Sequence, residues 1–340
     1  MKVLIIRFSS IGDIVLTTPV IRGLKQQLGA EVHFLTKASF RPVLEANPYI
    51  DELILMEKTL NPVLSRLKAN RYDYIIDLHN NLRSLKVKLL LGAPSSSFDK
   101  INREKWLMVN FKIDRLPKVH IVDRYMETVA SLGVKNDGQG LDYFIKAEDE
   151  VDLKAFFQGL PFAQSSSFNY RYIAFVIGAA HATKCLPVDK IIRICRQISI
   201  PVILLGGPDE MEMGQDIAIE SGEHVINSCG KLRLNQSASL VRQAWKVISH
   251  DTGLMHIAAA YRKDIFSVCG NTIPGFGMYP YLPEGKGRSS IFEVNGLSCR
   301  PCSKIGFNQC PKKHFRCMNR IMTDQLARLA NEEEIKSESE

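Results

Sequence analysis

The chain has 340 residues, of which 45% are hydrophobic and 24% charged, with 44 Lys and Arg against 36 Asp and Glu. That apolar share excludes a disordered chain, the length suggests about two domains, and no run approaches the ~20 apolar residues of a membrane span. No signal peptide is expected, because Arg7 interrupts the first apolar stretch and no small-residue cleavage site follows. A cytosolic protein is expected, in which eight cysteines point to thiols or a metal site more than to disulfides.

The net charge of +8 is uneven. Residues 58–118 hold thirteen Lys and Arg against five Asp and Glu, and residues 299–320 hold six basic residues and no acid. The last ten residues carry five Glu and one Lys. Two local basic stretches suggest a polyanion: phosphate, nucleic acid or an anionic membrane face. Taken alone, either stretch is equally well a solvated surface.

In chain order, residues 2–8 read as a strand, followed by a short polar turn and a helical pattern over 14–28. Further strands are expected at 31–36, 53–55 and 74–78, with helical segments between or after them. Residues 159–170, with Pro161 and three consecutive serines, read as a linker. The pattern then restarts, with strands at 172–178, 201–207, 225–226, 246–249 and 265–268 and helices at 189–197, 211–221 and 236–243. Apolar strands alternating with helices indicate parallel sheets covered on both faces. The expectation is an α/β protein with two doubly wound domains facing across a cleft: residues 1–158 and 171–325, with an acidic tail at 326–340. Ligands of such sheets bind at the carboxyl ends of the strands.

Three strand-to-helix turns carry candidate chemistry. In Ser9-Ser10-Ile11-Gly12-Asp13, Gly12 permits a tight turn and Asp13 either caps the helix or serves as a base beside its N-terminus. No dinucleotide fingerprint or P-loop pattern is present. Residues 178–184 place small residues ahead of Thr183 and Lys184, a phosphate loop or an ordinary connection. In residues 249–256, Asp251, Thr252 and Gly253 put a carboxylate, a hydroxyl and backbone N–H groups at a helix start, which suits an anion. His256 lies one turn further in and faces either the ligand or the core.

These turns, with residues 74–84 and His120-Ile121-Val122-Asp123-Arg124-Tyr125, resemble the heptosyltransferase family of bacterial lipopolysaccharide core synthesis, in the same order over most of the chain. The resemblance implies a GT-B fold of two facing Rossmann-like domains, an ADP-heptose donor and metal-independent inverting transfer, with no cofactor required. By position, Asp13 matches the general base. Lys184 with Thr183 matches the loop that binds the donor diphosphate and steadies the departing ADP. Asp251 matches the acid on the donor-sugar hydroxyls, Thr252 and Gly253 the diphosphate site, and His256 the donor side. Gly207, in the turn 206–210, resembles the adenosine side. Ser10, Gly12, Arg83 and Arg124 fall on the acceptor side, where the arginines fit an acidic sugar or a phosphorylated lipid. Cys185-Leu186 departs from the Arg-Trp that the family often has before the proline.

The expected partners are thus a nucleotide sugar and a lipid-linked acidic saccharide, with peripheral contact at the inner, anionic face of the cytoplasmic membrane. Nucleic acid is not expected, because the basic stretches lack aromatic interleaving or a recognised module. The alternatives are another GT-B glycosyltransferase with a different donor or acceptor, or a non-catalytic nucleotide-sugar-binding protein. Cys299, Cys302, Cys310 and Cys317 have a spacing compatible with tetrahedral zinc, but the second half is not the usual paired knuckle. Free or packed thiols are the preferred reading. Cys195 and Cys269 read as core.

Overall fold

A computed structural model describes residues 1–166 and 168–333 of the chain. Its first half runs β1 (Lys2–Ile6), α1 (Ile11–Val15), α2 (Thr18–Leu28), β2 (Glu31–Lys37), α3 (Arg41–Leu44), β3 (Glu52–Met56), α4 (Asn61–Ala69), β4 (Tyr74–Asp77), α5 (Leu82–Leu91), β5 (Ser95–Ser97), α6 (Asn102–Phe111), α7 (Ile121–Ala130) and α8 (Leu153–Phe157). The second half runs β6 (Ile173–Val176), α9 (Val188–Gln197), β7 (Val202–Leu205), α10 (Met211–Ser221), β8 (Val225–Asn227), α11 (Leu234–Gln243), β9 (Lys246–His250), α12 (Gly253–Ala260), β10 (Asp264–Cys269), β11 (Ser289–Glu293), α13 (Arg316–Asn319) and α14 (Thr323–Asn331).

The strands form two parallel sheets, ordered β3-β2-β1-β4-β5 and β11-β10-β9-β6-β7-β8. Side chains alternate across each sheet, as strand geometry requires. Val3 and Ile5 enter one apolar cluster, while Leu4 and Ile6 enter another on the opposite face. In β6, Ala174 and Val176 join the same cluster as Val3 and Ile5, and Ile173 and Phe175 point away from it. One continuous core therefore joins the two halves. Among the described residues no helix is long and apolar enough to cross a membrane.

Strand order fixes where a ligand can sit. The chain reverses direction between β1 and β4 in the first sheet and between β6 and β9 in the second. Loops leaving the carboxyl ends of two such strands diverge and open a crevice. The three candidate turns follow β1, β6 and β9, whereas the turn at 206–210 follows the neighbouring strand β7.

The structure differs from the expected elements in several places. The helix over 14–28 is two helices, broken at Leu16 and Thr17. Pro19 lacks an N–H and fits only the first turn of α2, and the Thr17 and Thr18 hydroxyls donate to the Ile14 and Val15 carbonyls instead. Strands β5 and β11 escape an apolar-run criterion, because their sequences begin Ser-Ser and lie at sheet edges. Residues 326–331, expected in the tail, form most of α14, with Leu326, Ala327 and Ala330 buried in the core of the second half. Beyond 333 the expected tail lies outside the described residues.

The aromatic residues of the expected linker at 159–170, Phe162, Phe168 and Tyr170, are packed. Phe157 is buried, with the rings of Phe156, Phe162, Phe168, Tyr170 and Tyr172 centred 5.1 to 6.2 Å away. Phe157→Ala is expected to lower stability by about 3–5 kcal/mol, read as an earlier urea midpoint. An unchanged midpoint would mean that the segment is a free linker after all.

Candidate active site

The two switch-point crevices face each other, and what joins them is a contact between helix starts. Helices α1 and α12 pack together at their N-terminal ends. A Cβ at Gly12 would stand 2.6 Å from Cδ2 of His256, and one at Gly253 would stand 2.6 Å from Cγ2 of Ile11. Only hydrogen at both positions allows this approach. The Asp13 loop and the Asp251 loop are thereby brought together.

Asp13 is fully engaged. Its Oδ2 accepts from the Ser10 hydroxyl at 2.6 Å and from the Ser10 N–H at 3.1 Å, and its Oδ1 lies 2.7 Å from Arg7 Nη2. Burial pushes this carboxyl up, but Arg7 and the Ser10 donors outweigh it and hold it below its ordinary value. Asp13 is therefore an ionised acceptor near neutral pH. Capping and basicity are compatible, since each carboxylate oxygen has two lone pairs. Arg7 is itself pinned, donating from Nε to the Ser9 carbonyl at 2.8 Å.

Across the contact, Lys184 Nζ lies 2.7 Å from Asp251 Oδ2, which also accepts from the Thr272 hydroxyl at 3.1 Å. The sequence reading gave the lysine and the acid separate tasks; here they neutralise each other. Thr252 precedes the first turn of α12, and its hydroxyl is buried without a hydrogen-bond partner. The N-terminus of α12 thus offers N–H groups, a helix dipole and a free hydroxyl at one point.

His256 faces both the core and the site. Its ring is buried over Gly12, and Nδ1 has no hydrogen-bond partner. Burial lowers its pKa to about 4, against the opposing pull of Asp251 and Asp13, so the ring is neutral near pH 7. His250, one strand-length earlier, is also buried and neutral, and its Nε2 accepts from the Leu186 N–H at 2.9 Å. That bond sets the backbone path of the Cys185-Leu186 segment, whatever side chains it carries.

Two placements differ from expectation. The Thr183 hydroxyl is buried, donating to the Phe307 carbonyl at 3.0 Å and accepting from the Phe307 N–H at 2.8 Å. It anchors the cysteine-rich segment and does not stand open to a phosphate. Arg124 is buried and donates to the Asp99 and Phe276 carbonyls, both at 3.2 Å; it clasps the two halves together and does not project into the cleft. Gly207 is exposed, and its N–H donates to Glu210 at 2.7 Å. Glu210, whose carboxylate lies against the Gly178 backbone, is the acid of the 206–210 turn that stands at the end of β6. Arg83 remains exposed in the first turn of α5, its guanidinium 5.7 Å from the Phe8 ring centre.

The sequence reading missed Lys105. It lies on α6, with Nζ 5.8 Å from the Phe276 ring centre. Burial first, then Arg124 and Lys304, push its pKa down to about 8 against the pull of Asp13. Nothing local in the sequence distinguishes it from its basic neighbours. Only the fold shows that its charge shares a site with Asp13.

All eight cysteines are free thiols. Cys195 and Cys269 are buried in the core. Cys299 Sγ lies 3.7 Å from His314 Nε2, yet among the described residues no group of three His, Cys, Asp or Glu side chains is arranged to hold a metal ion.

Comparison with known proteins agrees with this architecture. The model of glycosyltransferase family 9 (heptosyltransferase) matches residues 62–306. Lipopolysaccharide heptosyltransferase 1 of Campylobacter coli is 25% identical, covering 80% of this chain and 84% of the relative. Lipopolysaccharide heptosyltransferase 1 of Pseudomonas aeruginosa is 25% identical, covering 96% and 92%. In fold, the chain is similar to a family 9 glycosyltransferase from Veillonella parvula, with a TM-score of 0.71 at 23% identity over 86% of each chain. An E. coli heptosyltransferase solved with ADP gives a TM-score of 0.63 at 24% identity, covering 88% of this chain and 95% of its own. The fold is GT-B.

The glycine contact is open to a direct test. Gly12→Ala must push His256 or widen the gap between α1 and α12, and is expected to cost about 1–3 kcal/mol in urea denaturation. A midpoint equal to that of the parent would show that the two helices do not meet in solution.

Proposed function

Because the chain belongs to glycosyltransferase family 9, the heptosyltransferases, and is therefore a glycosyltransferase, we propose that it moves a heptosyl group from ADP-heptose to a lipopolysaccharide inner-core acceptor, with inversion at the anomeric carbon. The observation that carries the reading is the juxtaposition of Asp13 with the Lys184–Asp251 pair and the start of α12 across the Gly12–Gly253 contact. Residues 1–158 form the acceptor side and residues 171–325 the donor side.

In this mechanism an acceptor hydroxyl gives its proton to Asp13 as its oxygen attacks the anomeric carbon. The bond from that carbon to the ADP oxygen breaks on the opposite face, and its electrons leave on the diphosphate. A positioned base contributes roughly 10²–10⁴-fold. The departing charge falls to Lys184, the Thr252 hydroxyl and the N–H groups that open α12, an arrangement fixed before reaction and so costing little reorganisation. When a diphosphate draws Lys184 away, Asp251 is released to accept from donor-sugar hydroxyls. The pair thus keeps each charge compensated until the donor arrives. Neutral His256 offers Nδ1 to the same pocket, and Glu210 sits at the adenosine end. Ser10, Gly12, Arg83 and Lys105 form the acceptor side. No metal takes part in this scheme. A lipid-linked acceptor places the enzyme at the inner face of the cytoplasmic membrane as a peripheral protein.

Asp13→Asn is expected to lower transfer by about two orders of magnitude or more while ADP binding persists; near-normal turnover would remove Asp13 as the base. Arg7→Gln gives the pH test. Arg7 depresses the Asp13 pKa, so its loss raises that pKa, and the acid limb of kcat/KM should move to higher pH. A limb that stays in place would separate Asp13 from the titration.

Lys184→Ala should weaken ADP-sugar binding in calorimetry with the fold intact. Among ADP, UDP and GDP, ADP should give the largest thermal stabilisation, and a preference for UDP or GDP would defeat the heptosyl reading.

A further inference from the structure

Two consecutive helices of the first half wear their apolar side chains on the outside. Along α5, Ser84 and Val87 face inward and are buried. Leu82, Leu85 and Leu89, spaced i, i+3, i+7, share the opposite face and are exposed, Leu82 by 85% and Leu89 by 74%. Along α6 no residue is fully buried, although the helix carries Trp, Leu, Met, Val and Phe. Trp106 and Phe111 are 56% and 58% exposed, with their ring centres 5.2 Å apart, and Ile113 is exposed just beyond.

Single exposed apolar residues need no explanation, but rows of them mark a surface that is covered by something. The chemistry around them narrows what that is. Between residues 82 and 119 there are nine Lys and Arg against three Asp and Glu. Lys86, Arg103, Lys112, Arg115 and Lys118 are exposed among the apolar rows. A core-forming protein partner does not require that excess of one charge, whereas a bilayer with anionic headgroups matches it. Leu, Trp and Phe enter the headgroup and acyl boundary while flanking Lys and Arg stay at the phosphate level.

Position supports the same assignment. Helix α5 starts directly after the switch-point strand β4, where Arg83 stands over Phe8. Helix α6 carries Lys105, whose ammonium lies 5.8 Å from the ring centre of Phe276, the residue whose carbonyl accepts from Arg124. Both helices therefore flank the acceptor side of the cleft.

We infer that the exposed faces of α5 and α6 form the surface that docks this enzyme on an anionic lipid bilayer, with Leu82, Leu85, Leu89, Trp106 and Phe111 entering the headgroup layer. Docking there sets the cleft mouth at the membrane surface, where the sugar of a lipid-linked acceptor emerges. The inference rests on the lipid-linked acceptor proposed above, but its test does not need turnover.

The full-length protein would be sedimented with phosphatidylglycerol-rich vesicles and with pure phosphatidylcholine vesicles. The expected result is binding to the first and little to the second, weakened by salt. Leu85→Ser with Leu89→Ser, and separately Trp106→Ser with Phe111→Ser, should each reduce binding about tenfold, with ADP-induced thermal stabilisation and oligomeric state unchanged. Equal binding of the parent to both vesicle types would overturn the inference, as would undiminished binding by both variants. A parent that is dimeric and variants that are monomeric in light scattering would assign the surface to a second copy. Vesicle binding that behaves as expected without any transfer from ADP-heptose would leave the docking face standing and refute the heptosyl reading alone.

Discussion

The site exists because two helices approach each other at a distance that side chains forbid. Each half of the molecule is a parallel sheet with its own crevice, and neither crevice holds the groups that a displacement needs on both faces of a sugar. The meeting of α1 and α12 through Gly12 and Gly253 brings the crevices into register. A methyl group at either glycine would fall inside the van der Waals radius of His256 or Ile11. The buried ring of His256 is the floor of that contact, and its desolvation keeps it neutral beside two carboxylates.

Charge in the site is arranged so that it costs little when the cleft holds no ligand. Asp13 is matched by Arg7 and Asp251 by Lys184, so neither carboxylate is left alone. The two pairs differ in what they are built to do. Arg7 is fixed by the Ser9 carbonyl and holds Asp13 ionised. Lys184 has a flexible stem and an ammonium that can exchange one anion for another, which suits the proposed handover from Asp251 to a diphosphate. The orphan hydroxyl of Thr252 and the orphan Nδ1 of His256 are the complementary signature: polar atoms buried with no protein partner, at the place where the proposed donor would supply one.

The outer faces of the same fold obey a different rule. Apolar side chains on α5 and α6 are exposed amid most of the chain's excess positive charge. The cysteine-rich segment contributes to the inside instead. It is clamped to the second half by the paired hydrogen bonds between Thr183 and Phe307 and meets the residue just past α6, Lys112, which donates to the Pro301 carbonyl at 2.6 Å.

Much of this was legible in the sequence. Parallel α/β halves follow from apolar strands alternating with helices, and the chemistry-bearing turns follow from polar and small residues placed where those strands end. Asp13, Lys184, Asp251, Thr252 and His256 were all found this way, because strand and turn signals are local. Strands β5 and β11 were not found, since a serine-led edge strand is held by its neighbour's ladder and not by its own side chains. Thr183 and Arg124 have the right chemistry at the right loops, yet the fold commits them to backbone carbonyls. Lys105 lacks any local mark, and only the fold brings its charge within reach of Asp13. The sequence by itself determined which residue types stand at the strand ends. Only the tertiary structure decided which of them share a site, because that depends on contacts between α1 and α12, some 240 residues apart in the chain, where distance is set by packing and not by spacing.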